Sequence, residues 1–540
     1  MLESAYFVDI QSLAKLAGIA TVIKKIEYIC HMKYFHSLFF RPAILCAIYF
    51  TSVSSVSFAQ IKSKEEYNSS RLGLMRSEES MKLSYRLNFS IDEENAQAYL
   101  MKLKAEEIKR TGSQFPPAHN FLTVKPLIDA SPLLPIFKKM PKGAVLHAHP
   151  GAVGDFHWLI QYATYLPNCF LYTGKDSTNE VSGAMRFFSS PPSDDWKSIA
   201  ALRAASGDAI RFDKELYESI TLGTEDLNKP DIWAEFEKCF SRIDGLQSYE
   251  AVYSEWNRRE LMVIADENVQ LLELRSFLGG PTGYDQQGKG SDTAIFMYQN
   301  FVNQIRDKHR DFQVRLIFTR MKQTGGPELT ASLQEALRLR EKYPQWIAGF
   351  DLVGEEDALP DLSTCVDQFI SIEKEARKRG VSLPYYFHAG ESNWTNNSDI
   401  VDALMLRSKR IGHGLALIKN PRLMERVRDR RIAIEVCPVS NQVLGYVSDL
   451  RNHPAVNWIR SGLPVTLNPD DPGMMGYTFS YDFYEAFMAW DLDLADLKML
   501  AINSIKYSSL GEVEKTVTME KWKEKWDLFI RELNEEAKKN

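Results

Sequence analysis

Short β-type runs alternate with helical stretches from residue 144 onward, and this alternation limits the possible folds more than any other feature. Eight runs occur, at Ala144–His149, Val269–Arg275, Gln313–Thr319, Trp346–Val353, Pro384–His388, Arg410–Gly412, Arg431–Val436 and Pro464–Asn468. Strands that alternate with helices favour a parallel sheet, and eight such units favour an α/β fold of the (β/α)8, or TIM-barrel, type. On pattern alone, an open doubly wound sheet is the main alternative.

One connection in this pattern is much longer than a barrel needs. About 120 residues separate the first run from the second, where about 30 would suffice. Asp231–Ala265 has helical spacing of its apolar residues, whereas residues 165–224 contain Pro191-Pro192 and several turn signals. We therefore expect an inserted subdomain at about 165–224, within a barrel domain that covers residues 126–540.

The segment before the barrel is polar and rich in helix formers. Residues 60–125 carry scattered apolar positions at roughly helical spacing, with no Pro before residue 116. We expect two or three helices here, which form an N-terminal extension outside the main core.

A secretory leader is predicted at Met32–Ala59. A short basic region leads into the apolar run Pro42–Val53, and Ser57-Phe58-Ala59 then places small residues before Gln60. On this interpretation residues 1–31 are an over-long start, and the mature protein is secreted or periplasmic, with no stable membrane anchor after cleavage. An uncleaved N-terminal anchor is the alternative.

Composition excludes one class of function. The formal net charge is −6, and hydrophobic residues make up 44% of the chain, which is ordinary for a globular protein. This charge argues against a nucleic-acid binder that works through a basic surface. The four cysteines after the leader are widely spaced, with no Cys-x-x-Cys pair among them, so their spacing does not indicate a disulfide framework.

Residues with metal-binding and acid–base chemistry end or follow several of the eight runs. They are His147, His149, His388, Glu391, His413, Asp470 and Asp471. In a barrel the carboxyl ends of all strands meet at one face, where the active sites of such folds lie. Three His and one Asp suit Zn²⁺ with a position left for water, and the other groups could move protons and orient a substrate. We therefore expect a hydrolytic zinc site.

Each of these features has a simpler explanation when it is taken alone. His413 lies between two glycines, as a turn residue does, and Glu391 could be a surface charge. Asp470-Asp471-Pro472 has the sequence of a helix start. Their joint occurrence at successive strand ends, in order, is what favours a site.

The chain resembles the adenosine deaminase family, within the metal-dependent hydrolase superfamily, in four motifs. They are Met140-Pro141-Lys142 before the His-x-His pair, His-Ala-Gly-Glu at 388–391, Gly-His-Gly at 412–414 and Asp-Asp-Pro at 470–472. The predicted leader and the long insertion are similar to the extracellular branch of that family, the adenosine deaminase-related growth factors.

This resemblance implies a reaction and a role for each residue. One zinc ion per chain would be bound by His147, His149, His388 and Asp470. Glu391 would protonate purine N1, His413 would hold and activate the zinc hydroxide, Asp471 would bond N7, and the backbone N–H of Gly354 would face N3. The implied reaction is hydrolytic deamination of adenosine or 2′-deoxyadenosine to inosine or 2′-deoxyinosine and ammonia. A homodimer through the N-terminal helices is also implied.

The chain departs from the family on the sugar side. Pro150-Gly151-Ala152 follow the His pair, where relatives have an Asp that helps hold the ribose, and Thr319-Arg320-Met321 stand where the branch has a His. Trp233 is expected to line the nucleoside pocket, with helix packing as the alternative. Cys169 shows no evident partner for the disulfide of the branch.

Two other functions stay open at this stage. One is a related metal-dependent amidohydrolase that acts on another aminopurine or on a nucleotide. The other is a non-catalytic, secreted adenosine-binding protein. Retention of Glu391 argues against the second, because a binding protein has no need of a proton donor.

Overall fold

The computed structural model describes residues 63–178, 180–394 and 396–539. The predicted leader therefore lies outside the described residues. Residues 77–540 form one compact unit. The described part of the preceding segment lies in a helix, α1 (Lys64–Glu79), which is exposed along its length.

All eight predicted runs contain strands of a single barrel. The described residues contain eleven strands, of which the second, third and fourth lie outside the barrel. In chain order they are β1 (Gly143–Val145), β2 (Cys169–Tyr172), β3 (Met185–Phe187), β4 (Trp196–Ser198), β5 (Val269–Ser276), β6 (Gln313–Met321), β7 (Ile347–Val353), β8 (His388–Ala389), β9 (Arg410–His413), β10 (Ala433–Val436) and β11 (Val465–Leu467). Strands β1-β5-β6-β7 form one parallel sheet, and β8-β9-β10-β11 form another. Parallel bridges Phe350–Tyr385 and Ala148–Asp470 join the two sheets at both edges. The (β/α)8 prediction is confirmed, and the doubly wound alternative is wrong.

Strands β1 and β8 are each three residues shorter than the runs that predicted them. Strand β1 ends at Val145, because the next backbone N–H groups bond to the side chain of Asn468 and not to a neighbouring strand. Asn468 Oδ1 accepts from the N–H of Leu146 at 2.8 Å and from that of His147 at 3.1 Å. Strand β8 has only two residues, and Pro384 before it has no N–H to donate. His147 and His149 thus follow a strand and do not belong to it.

The helices surround the barrel and extend beyond it. In addition to α1 they are α2 (Ile91–Thr111), α3 (Phe121–Asp129), α4 (Leu133–Lys139), α5 (Phe156–Ala163), α6 (Ile199–Ser206), α7 (Ala209–Ser219), α8 (Ile232–Ser248), α9 (Glu250–Asp266), α10 (Ser291–Ile305), α11 (Gly326–Lys342), α12 (Val366–Arg379), α13 (Asp399–Met405), α14 (Pro421–Asp429), α15 (Pro438–Val443), α16 (Ala455–Arg460), α17 (Ser480–Ala489), α18 (Leu494–Lys506) and α19 (Glu512–Lys539). The stretch 231–265 is two helices, α8 and α9, which meet at Tyr249.

Helix α2 is fixed to the barrel domain by its own first turn. Ser90 and Glu93 form a capping box at its start. Glu93 Oε1 also accepts a hydrogen bond from the indole Nε1 of Trp526 in α19, at 2.8 Å. The second helix of the predicted extension is therefore held by the last helix of the chain.

The long connection between β1 and β5 has its own sheet. Strands β3-β2-β4 are antiparallel, with β2 at the centre. Cys169 in β2 is a buried free thiol, as are the other three described cysteines. No helix among the described residues is long and apolar enough to cross a membrane.

Candidate active site and metal centre

The four predicted metal ligands lie together at the carboxyl end of the barrel strands. One ligand atom from each of His147, His149, His388 and Asp470 lies within 4.8 Å of the others. Asp470 Oδ1 is 3.2 Å from Nε2 of His147 and 3.3 Å from Nε2 of His149. His149 is partly exposed, whereas the other three side chains are buried.

Buried carboxylates orient two of these imidazoles from behind. His147 Nδ1 is 2.9 Å from Glu435 Oε2, and His388 Nδ1 is 2.7 Å from Asp351 Oδ2. An Nδ1–H that donates to a carboxylate leaves Nε2 as the free nitrogen, aimed at the centre. Arg275 balances both acids, with Nε 2.7 Å from Asp351 and Nη2 2.6 Å from Glu435.

This donor set fits a zinc ion. Three imidazole nitrogens and one carboxylate oxygen are ligands that zinc takes in hydrolytic sites with an open position. The second oxygen of Asp470 accepts a hydrogen bond from Ser440 Oγ at 2.8 Å. His147, His413, Cys437 and Asp470 form an overlapping group. Burial raises the pKa of the Cys437 thiol well above its ordinary value, so the sulfur is the poorer ligand.

Glu391 and His413 lie beside the four ligands. His413 Nδ1 is 3.3 Å from Glu391 Oε1, and His413 Nε2 is 3.9 Å from Asp470 Oδ2. Within the described chain, Glu391 Oε1 has no hydrogen-bond partner. Burial, together with the charges of Asp470 and Glu356, raises the pKa of Glu391 well above its ordinary value. Glu391 is therefore suited to donate a proton at neutral pH.

A cavity of about 570 Å³ opens above this group. Its volume is in the range of small-molecule sites. The predicted residues that line it are His149, Trp233, Gly354, His388, Glu391, His413, Asp470 and Asp471. Thr178, Glu180, Val181 and Arg186 from the long connection also contribute to its wall. The region before β5 therefore shapes the space that a ligand would occupy.

Comparison with known proteins places the chain in a family. Residues 291–525 match the family model for adenosine deaminase, and residues 44–137 match that for the adenosine/AMP deaminase N-terminal region. Adenosine deaminase 2 of Sus scrofa is 37% identical over 516 residues, which are 91% of this chain and 98% of that protein. The chain belongs to the adenosine deaminase family. The resemblance seen in the four motifs is confirmed, and with it the extracellular branch and an aminohydrolase activity.

Other relatives of this deaminase agree with the assignment. Adenosine deaminase 2 of Dictyostelium discoideum is 35% identical over 474 residues, which are 86% of this chain and 87% of that protein. An amidohydrolase from Burkhoderia ambifaria, solved with bound Zn, has a TM-score of 0.54 at 18% identity. The match covers 74% of this chain and 94% of that one, and supports the fold.

Gly354 is the one position in the deaminase cavity that needs glycine for its backbone. Its φ is +115°, and an added Cβ would lie 2.5 Å from Leu359 Cδ1. Any other residue here would be strained and would clash with Leu359. Trp233 in α8 lines the cavity and also packs edge-on against Phe236, with ring centroids 5.4 Å apart. Its two expected roles are therefore compatible.

The loop after His149 is held in place by α8 and α9. Glu260 Oε1 accepts from the backbone N–H of Gly151 at 2.7 Å and of Val153 at 3.3 Å. Gln247 Nε2 donates to Gly151 O at 2.7 Å. Hydrogen bonds from both helices therefore fix this loop.

The acids and the arginine behind the metal site of the deaminase were not among the predicted residues. Asp351, Glu435 and Arg275 are fully buried charges inside apolar strands. Isolated charges in such runs were the signal that could have found them. The cavity residues from the long connection carry no comparable signal, since their approach to the barrel is decided by tertiary structure.

Proposed function

We propose that the protein is a zinc-dependent deaminase that converts adenosine and 2′-deoxyadenosine to inosine and 2′-deoxyinosine, with release of ammonia. One observation carries the proposal: a buried carboxyl with a raised pKa, Glu391, faces the same cavity as three histidines and an aspartate fit for zinc. An amidine carbon such as purine C6 needs both a strong nucleophile and a proton donor to the ring.

The roles follow from the positions of the side chains. Bound zinc would lower the pKa of water to about 7 and supply a hydroxide nucleophile. His147, His149, His388 and Asp470 would hold one zinc ion per chain. Glu391 would give its proton to N1 as C6 is attacked, Asp471 would bond N7, and the N–H of Gly354 would face N3. His413 would face the attacking oxygen, since its Nε2 points toward Asp470.

The outer cavity favours a nucleoside over a nucleotide. Glu180, Glu237 and Asp244 line it. Arg186, which also lines the cavity, is already engaged by Glu180 at 3.0 Å and by Asp244 at 3.6 Å. A phosphate group would therefore meet net negative charge here.

Glu237 is our candidate for the sugar side. It lines the cavity from α8, and within the described residues its side chain makes no hydrogen bond or ion pair. Burial and the charge of Asp231 raise the pKa of this carboxyl. We propose that it binds a sugar hydroxyl, which neither Pro150 nor Thr319 can do in the way the family residues do.

Location and assembly form a separate part of the proposal. We propose that the protein is exported through the Met32–Ala59 leader and forms a homodimer through its N-terminal helices, one of which, α1, exposes Leu72 and Leu74. N-terminal sequencing of the exported protein should begin at Gln60. A monomeric mass in light scattering would contradict the dimer.

Ammonia release tests the reaction directly. The zinc-loaded protein should release ammonia from adenosine and 2′-deoxyadenosine, and much less from adenine and AMP. Metal analysis should give one zinc per chain. Release only from adenine or AMP would favour the related amidohydrolase, and no release from any of the four would favour an adenosine-binding protein.

A further inference from the structure

A buried line of hydrogen bonds runs away from the active site behind His413. His413 Nδ1 is 3.1 Å from Asn441 Nδ2, and Asn441 Oδ1 is 3.2 Å from His453 Nε2. The line ends at the backbone, where the N–H of Ala455 donates to His453 Nδ1 at 3.0 Å. The three side chains are at most 1% exposed.

The backbone end fixes the direction of every bond in this line. A peptide N–H can only donate, so His453 Nδ1 must be the acceptor and carries no proton. The proton of this ring is then on Nε2, which donates to Asn441. The atom of Asn441 that accepts must be its oxygen, so its nitrogen faces His413 and donates to Nδ1. His413 Nδ1 therefore carries no proton, and the ring proton is on Nε2.

We propose that Asn441 and His453 are positioning residues that hold His413 as its Nε2–H tautomer. This inference rests on the proposed function for its catalytic meaning only. Nε2 is the ring nitrogen that points into the site, 3.9 Å from Asp470 Oδ2. An Nε2–H donates a hydrogen bond to the attacking oxygen and orients its lone pair toward C6. A bare Nε2 would instead take a proton from that oxygen, so the tautomer decides what His413 does.

The surroundings keep this line in one arrangement. Asn441 lies in α15, and its carbonyl accepts from the N–H groups of Tyr446 and Val447. The ring of His453 packs near Trp490 and Trp458, with centroid distances of 5.3 and 6.2 Å. Burial lowers the pKa of His453 to about 3, so the ring stays neutral at physiological pH.

Nitrogen NMR of the zinc-loaded enzyme, labelled with ¹⁵N only in histidine, reads the tautomer without any turnover. The His413 signals are those lost in His413→Gln. We expect the two-bond correlations between ring nitrogens and carbon-bound ring protons that are characteristic of a histidine protonated only at Nε2. A proton on Nδ1 of His413 in the wild type would overturn the proposal. Because this readout does not require a substrate, it separates failure of the inference from failure of the proposed reaction.

Substitutions test the two positioning residues. Asn441→Leu keeps the number and branching of the side-chain heavy atoms and removes the donor to Nδ1. We expect mixed tautomers of His413 and a kcat about 10- to 100-fold lower, the range found for outer-shell partners, with little change in KM or zinc content. An unchanged tautomer and kcat would overturn the proposal.

A pair of variants at His453 covers the case in which Asn441→Leu does not fold. His453→Gln keeps an N–H that can donate to Asn441 and should retain the tautomer and most of kcat. His453→Phe removes that N–H and should lose both. Equal losses in the two variants would mean that His453 only fills space, and would contradict the proposal. His309→Gln, at a surface ring that pairs with Asp266, is the control and should change neither.

Discussion

His388 and Asp351 form a buried pair in which the imidazole Nδ1 and the carboxylate Oδ2 are 2.7 Å apart. The same oxygen is 2.7 Å from Nε of Arg275, and the other oxygen accepts the backbone N–H of His388 at 3.0 Å. Asp351 therefore fixes both the ring and the backbone of His388, one of the four proposed metal ligands. Removal of this carboxylate should therefore weaken metal binding.

The first prediction concerns this pair. Asp351→Asn should weaken zinc binding about 10- to 100-fold, because the amide is a poorer acceptor for the Nδ1–H and a less effective partner for Arg275. Competition with a chromophoric chelator measures the affinity. Asp429→Asn, at an exposed acid in α14, is the matched control and should bind zinc as the wild type does. Equal affinities of the two variants would refute the role of Asp351.

The second prediction concerns proton donation. Glu391→Gln should fold and bind zinc but lose about 10²- to 10⁴-fold in kcat for adenosine, since an amide has no acidic proton to give to N1. Steady-state ammonia release and metal analysis measure the two quantities. Glu425→Gln, on the exposed face of α14, should keep full activity. A Glu391→Gln enzyme with wild-type kcat would exclude Glu391 as the donor.

The third prediction concerns the sugar side. Glu237→Ala should raise KM for adenosine about 10-fold or more, the value of one hydrogen bond to a charged group. Any residual turnover of adenine should be unaffected, because adenine has no sugar. Kinetics with the two substrates give the comparison. Glu235→Ala, in the same helix but outside the cavity lining, should leave both unchanged. The same loss for both substrates would place Glu237 elsewhere in the reaction.

The fourth prediction concerns pH and stability. Burial raises the pKa of Glu260 from 4.5 to about 8, so the folded protein holds a proton that the unfolded chain releases. Stability from this group is therefore lost as pH rises from about 4.5 to about 8, by at most on the order of 5 kcal/mol, and is constant above that window. Glu260→Gln removes this dependence.

Thermal melts at fixed zinc concentration check the sign. The melting temperature of Glu260→Gln minus that of the wild type should increase between pH 5 and pH 8.5. The corresponding difference for Glu425→Gln, at an exposed carboxyl, should stay flat. A difference that stays flat over this range would mean that Glu260 is already ionised in the folded protein at pH 5.

The sequence was sufficient for the barrel and for the metal-site cluster because both depend on local pattern. The β-type runs are mostly buried and read as apolar, and the polar residues stand where each run ends. His388 and Asp470 are 82 positions apart in the chain, yet the parallel order of the strands brings them together. Topology alone is enough for that inference.

Other parts depended on contacts that no local pattern records. The strand predicted at 144–149 is too long because the side-chain amide of Asn468, and not a neighbouring strand, accepts the backbone N–H groups of Leu146 and His147. The hydrogen bonds that link His413 to His453 through Asn441 could not be predicted from the sequence either. No sequence pattern relates an Asn in a short helix to a His in a later loop. Glu180 and Arg186 reach the cavity only through the folding of a connection whose sequence has weak periodicity.

The amide of Asn468 that joins the first and last barrel strands has a consequence for how the protein is made. Asn468 and His147 are 321 positions apart, and the candidate ligands that follow β1 and β11 meet only across this junction. A nascent chain or a proteolytic fragment that stops before β11 offers scattered histidines but no complete set of donors. The proposed zinc site would therefore be completed only after β11 has been synthesised, so zinc bound by all four donors would follow synthesis of the barrel and could not guide it.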